Sequence, residues 1–138
     1  MIIRKTLLLL AVLLASAYTC AHCQAVFDYN INCVNAYNLF FQLKFREAQS
    51  IIDSEKRIRP NNAIPIYLDH YILFLRAFIS EEEIDFNLLK AHHRSAVALL
   101  EKGTSSPYQQ WVLAEVNMLT AFVRFKSGEY VAGALEIR

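Results

Sequence analysis

The residues of this chain best suited to acid–base or metal chemistry are three histidines. His92 and His93 are adjacent, and His70 stands beside Asp69. Neutral imidazole is a common metal ligand, and a nearby carboxylate can serve as a further ligand or as a base. Glu81-Glu82-Glu83 supplies carboxylates between them in sequence. A small metal-dependent hydrolase could be assembled from His70, His92 and Glu82 or Glu83. The spacing argues against it. Neighbouring residues on a helix project about 100° apart, so His92 and His93 do not converge on one ion. No His-x-x-x-His pair occurs either. His93 falls on an apolar stripe between Leu89 and Val97 and reads as a core-edge imidazole. The acidic run suits a helix N-terminus, where the dipole favours negative charge.

Other reactive patterns have simpler readings. Cys20-Ala21-His22-Cys23 has redox or metal spacing, but it lies at the end of a leader. Ser105 and Ser106 belong to a turn and a helix cap, and no glycine-rich phosphate loop is present. The expectation is a non-enzymatic protein with no cofactor and no metal.

Residues 1–25 read as a secretory signal peptide. Arg4 and Lys5 precede the apolar run Thr6 to Ala17, and small residues offer cleavage at Ala21 or Ala25. The apolar run is only about half of the ~20 residues a spanning helix needs. Retention as an anchor is the alternative, and only then would the protein meet a membrane. The expected location is exported, periplasmic or cell-envelope associated. Cleavage near Val26 removes Arg4 and Lys5. The 14 basic residues become 14 − 2 = 12 against 13 acidic ones, a net charge of −1. With no basic patch, nucleic acid is not an expected partner. Cys33 then stands without a disulfide partner and reads as a core thiol.

The remaining residues, 26–138, are expected to form one all-α domain. The chain is 55% hydrophobic and 20% charged, with only 3 Gly and 3 Pro, so elements are long and turns few. Asp28 is the expected cap of a first helix reaching Leu43, with Ile31, Val34, Tyr37, Phe40 and Phe41 on its apolar stripe. A second helix runs from about Arg46 to Arg59, with Ala48, Ile51, Ile52, Glu55 and Ile58 on one face, and stops at Pro60. Asn61 or Asn62 caps a third, with Pro65 in its first turn and a wide apolar face from Ile64 to Phe78. Ser80 and Glu83 have capping-box spacing for a fourth helix ending near Lys102 and Gly103. Ser106-Pro107-Tyr108-Gln109 is a second such box, opening a helix to Lys126. Gly128-Glu129-Tyr130 turns into a sixth. Trp111, Tyr108 and Phe122, at helical spacing, read as core. The result is three antiparallel helix pairs, about 28–60, 62–103 and 106–138.

Phe45, Ala48 and Pro60 give these pairs a signature: an aromatic at the turn, a small residue one helical turn later, and a breaker before the next pair. On these residues the chain resembles the tetratricopeptide repeat family, in the divergent form of secreted bacterial proteins. Tyr29 to Asn62 aligns with that 34-residue pattern, with Ala36, Phe45, Ala48, Ile52 and Pro60 at matching positions. Asn32 and Asn35 depart from it, and the middle pair, about 47 residues from Pro60 to Pro107, is too long. Gly128-Glu129-Tyr130, Ala121 and Gly133 match again in the last pair.

The resemblance implies a stacked α-solenoid whose first helices line a concave groove for a protein or peptide ligand. By position, Asn30, Tyr37, Phe41, Glu115, Phe122 and Lys126 would face that groove. The family's clamp for a peptide C-terminus is not matched, since Val34 stands where its Asn falls. The last pair is incomplete and leaves Ile137 uncovered. Terminal repeats normally carry a polar face, so the expectation is a piece of a longer solenoid, or self-association through this end.

Overall fold

A computed structural model of the chain describes residues 25–103 and 105–137. Six helices follow in order: α1 (Ile31–Phe41), α2 (Phe45–Ile58), α3 (Ile64–Ser80), α4 (Glu83–Leu100), α5 (Pro107–Lys126) and α6 (Tyr130–Glu136). Helix accounts for 78% of the described residues, and no strand is found among them. The two isolated β-bridges, Ala25 with Gly103 and Val26 with Asn62, tie the segment before α1 to two later turns. The expected signal peptide, apart from Ala25, lies outside the described residues, as do Cys20 and Cys23. Among the described residues no helix is long and apolar enough to cross a membrane.

Caps fix where the helices begin, and those of α1, α3 and α4 differ from expectation. Asn30, not Asp28, caps α1: its side-chain oxygen accepts from the N–H groups of Asn32 and Cys33. The helix therefore starts at Ile31. Ser80 and Glu83 form no capping box. Glu81 is left-handed, with φ 58°, so the chain reverses after Ser80 and leaves that residue at the end of α3. The Ser80 hydroxyl accepts from the Glu82 N–H and donates to the Asp85 carboxylate. Ala63, not Asn61 or Asn62, stands at the N-cap of α3 and offers no side-chain bond; Asn62, one residue earlier, accepts from the Ile64 N–H at 3.2 Å, and Pro65 follows in the first turn. Ser106 caps α5 through the Gln109 N–H. The Gln109 amide turns away to the Leu100 and Gly103 carbonyls, closing the end of α4 instead.

Each first helix packs on its own second helix, α1 on α2, α3 on α4 and α5 on α6. The first helices also form a row, α3 touching both α1 and α5, while α2 packs on α3 and α4 on α5. No contact joins α2 to α4 or α1 to α5 among the described residues. The larger core cluster joins Cys33, Ala36 and Phe40 of α1 to Ala48 and Ile52 of α2, to Ile64, Tyr67, Leu68 and Ile72 of α3, and to Leu100 of α4 and Val112 and Val116 of α5. A smaller one gathers Phe74, Ala77, Phe86, Leu89, Leu119 and Val123.

The buried face of α1 is thus rotated from the expected stripe. Cys33, Ala36 and Phe40 are buried, whereas Ile31 and Phe41 are exposed. The small residues decide this, because α2 approaches closely only where α1 offers Ala36 and α2 offers Ala48, both fully buried. Gly133 plays the same part between α5 and α6, where an added Cβ would stand 2.7 Å from the Phe125 ring.

Candidate functional site: an aromatic face across α1, α3 and α5

Because the three first helices lie side by side, their aromatic side chains meet. Tyr29, just before α1, is 6.3 Å from Tyr37 between ring centroids, and Tyr37 is 4.8 Å from Phe41. Phe40 stacks on Tyr71 of α3 at 5.1 Å, and Phe41 lies 5.6 Å from the same ring. Tyr71 meets Tyr67 edge-on at 5.9 Å, and Tyr67 lies 5.6 Å from Trp111 of α5. A branch runs from Tyr71 through Phe74 to Phe78, over which the Lys126 ammonium sits at 4.1 Å. Such ring pairs stabilise by about 0.5–1.5 kcal/mol each beyond their buried area. The face is therefore held in shape before anything binds.

Exposure overturns one sequence reading. Tyr108, Trp111 and Phe122 are not core: they are 70%, 52% and 46% exposed. The α5 core runs along Val112, Val116, Leu119 and Val123 instead, which turns the aromatic positions outward. Tyr108 and Trp111, with Phe27, Tyr29, Ile64, Pro107 and Val112, line a cavity of about 740 Å³ at one end of the face.

The groove residues expected by position divide into two groups. Tyr37 and Phe41 belong to the ring row. Glu115 joins it through the Tyr67 hydroxyl, which donates to Glu115 Oε2 at 2.8 Å. Burial raises the Glu115 carboxyl above its usual range, against the lowering effect of that bond. Burial also raises the Tyr67 phenol, and the bond to Glu115 adds to it. Lys126 reaches the branch but is held by Glu81 at 2.7 Å and by the Phe78 carbonyl at 2.8 Å. Phe122 is exposed and makes no ring contact with the row among the described residues. Asn30 is turned away, its oxygen capping α1 and its Nδ2 donating to Glu55 at 2.6 Å. Tyr71, the ring that joins the two halves, was not singled out from sequence. Its spacing of four from Tyr67 was the available signal, read there only as core.

The histidines form a separate, inward cluster. His70 is fully buried, with Nδ1 3.3 Å from His92 Nδ1 and Nε2 3.0 Å from Thr120 Oγ1. Thr120 spends its proton on the Val116 carbonyl, so His70 Nε2 donates to Thr120. His70 Nδ1 then accepts from His92. Burial, with His92 and His93 adding, holds His70 down to about 3. Burial lowers His92 as well, partly opposed by Asp69. His93 pairs with Asn117 at 2.9 Å. His70 and His92 do meet, but Glu83 opens α4 nine residues before His92, about 13 Å along the axis. Among the described residues no three His, Cys, Asp or Glu side chains are arranged to hold a metal ion.

Compared with family models, with curated proteins and with solved structures, the chain matches none.

Proposed function

We propose that the chain is a non-enzymatic, exported helical-repeat scaffold of the tetratricopeptide type, which holds an extended or helical segment of another protein. The observation that carries this reading is the row of rings from Tyr37 and Phe41 through Tyr71 and Tyr67 to Trp111, which spans the first helix of every pair. Tyr67 is buried and links the row from beneath; the other rings are large, rigid, partly exposed and already packed, which suits an interface because little further side-chain entropy is lost on binding.

The solenoid part of the reading draws on helix adjacency. First helices neighbour first helices, and the second helices do not pack closely on one another; α4 reaches α6 only through side chains, His93 to Glu136 at 3.6 Å and Lys90 to Glu129 at 2.6 Å. Pairs added in series give that arrangement. Export rests on Arg4, Lys5 and the apolar run after them. N-terminal sequencing of the native protein checks it, with a start near Val26 as the expected result and an intact Met1 as the contrary one.

Cross-linking tests the binding reading. A photoreactive phenylalanine analogue is placed at Phe41 or Phe122, and at exposed Ile58 on α2 as control. In the cells that make the protein, Phe41 and Phe122 should yield the same single adduct and Ile58 none. Equal adducts from all three positions, or none from any, would remove the proposal.

A further inference from the structure

Six carboxylates of the described residues are not solvent-exposed, and five of them face a cation. Glu55 pairs with Arg59, Asp69 with Lys56, Asp85 with Arg76, Glu129 with Lys90, and Glu136 with Arg124. Glu115 is the exception. No described ion pair reaches it, and its one hydrogen bond is from the neutral Tyr67 hydroxyl. A half-buried anion without a counter-ion is costly. This one also stands beside an aromatic chamber. Trp111 and Tyr108 lie one and two helical turns before Glu115 on the same face of α5. The Tyr67 ring that bonds Glu115 is 5.6 Å from Trp111. Phe27 and Tyr29 close the other side of the cavity of about 740 Å³, and none of its lining residues is charged.

Aromatic faces attract cations through the ring quadrupole, and apolar walls strengthen the pull of a nearby carboxylate. We infer that the cavity lined by Trp111, Tyr108 and Tyr29 seats an arginine side chain of the bound protein segment, whose guanidinium reaches from the rings to Glu115, one helical turn beyond Trp111. Guanidinium fits better than ammonium because it is planar, stacks on rings, is weakly hydrated and presents paired donors to a carboxylate. The inference rests on the scaffold reading above and supplies the chemistry of its partner. It also gives the half-exposed Trp111 a use that a core residue would not have.

Trp111 is the only tryptophan of the chain, so its fluorescence reports on this cavity alone. The probes are acetyl-Gly-Arg-Gly-amide and the same peptide with citrulline, the neutral near-isostere, titrated at equal ionic strength. The arginine peptide should give a saturable change, and citrulline should bind at least about tenfold more weakly. Glu115→Gln, which keeps a partner for the Tyr67 hydroxyl, should lower arginine affinity about tenfold and leave citrulline unchanged. Circular dichroism checks that this variant folds. Equal response to both peptides, no saturable response, or full arginine binding by Glu115→Gln overturns the inference. Cross-linking at Phe41 with no arginine response would leave the scaffold standing and remove the seat. Arginine binding without any cross-linked partner would do the reverse.

Discussion

The Glu55 carboxylate, 1% exposed, lies 2.6 Å from Asn30 Nδ2, so the last turn of α2 holds the very residue that caps α1. Asn32 Nδ2 reaches the other oxygen at 2.9 Å, Arg59 bridges both, and Asn62 approaches at 3.5 Å. Asn62 in turn clasps both backbone groups of Asp28. One buried anion thus joins three chain segments. Glu55→Ala would take from Asn32 and Arg59 their acceptor and from Asn30 the shorter of its two bonds, leaving Asn62 its bond to the Asp28 carbonyl, and should destabilise by about 2–4 kcal/mol. Exposed Glu47→Ala should stay within about 0.5 kcal/mol. Urea midpoints compare the two, and equal midpoints would mean that the clasp contributes nothing.

Ala48 tests the contact that orients the first pair. It is fully buried against the face of α1 that carries Ala36, and a leucine there has no room. Ala48→Leu should destabilise by about 1–3 kcal/mol through overpacking. At a surface position the same change would be nearly neutral, because leucine is almost as good a helix former. A urea midpoint equal to that of the unsubstituted protein would show that the helices do not meet at this residue.

Ala36, Ala48 and Gly133 show why the helix pairs were legible in the sequence. A small residue at a helix contact leaves a spacing signal, and so does a breaker such as Pro60. Glu55 shows the opposite case. It was placed on the buried stripe of α2, but a period of 3.6 says only that a position faces inward. It does not say that Asn30, Asn32 and Asn62, from other segments, will be there to receive a carboxylate. Trp111 and Tyr108 were misread for a related reason. Their spacing is compatible with a core face, but Val112 and Val116 on the adjacent stripe won the core. Tyr71 could be placed as buried, not as the link between α1 and α5, since that depends on which helices become neighbours.

The buried histidines set where acid first weakens the fold. Burial lowers His70 from its ordinary 6.5 to about 3, so between those values the unfolded chain binds a proton that the folded one refuses. Stability is therefore full above pH 6.5 and falls as pH drops towards 3, with a slope of at most about 1.4 kcal/mol per pH unit for one group. Lowered His92 adds in the same direction. Burial also opposes the charge of Glu55, but the bonds from Asn32, Arg59, Asn30 and Asn62 outweigh it and hold the carboxyl at about 2 against an ordinary 4.5. Its contribution is complete above pH 4.5 and is lost from there towards 2. Thermal midpoints should thus fall in two stages. His70→Gln should flatten the first and Glu55→Gln the second. A midpoint constant from pH 7 to 5 would contradict the neutral, buried histidine pair.

Glu115 has the opposite shift, and Tyr67 allows it to be tuned. Burial raises the carboxyl while the Tyr67 hydroxyl, bonding the ionised form at 2.8 Å, restrains the rise. Tyr67→Phe removes that donor and leaves the ring in place, so the Glu115 carboxyl should move further up. Trp111 is one helical turn away and is the only tryptophan, so the titration is read directly as fluorescence against pH. The folded chain binds this proton more tightly than the unfolded one. Its stabilising contribution is therefore complete below the ordinary 4.5 and is lost as pH rises through the raised value. In Tyr67→Phe that loss should begin at higher pH. An arginine peptide in the cavity would reverse the sign, because a guanidinium beside the carboxylate favours ionisation and should pull the Trp111-detected titration down. The same midpoint in both proteins would show that the Tyr67 hydroxyl does not act on Glu115. A midpoint unmoved by saturating arginine peptide would place the cation away from that carboxylate.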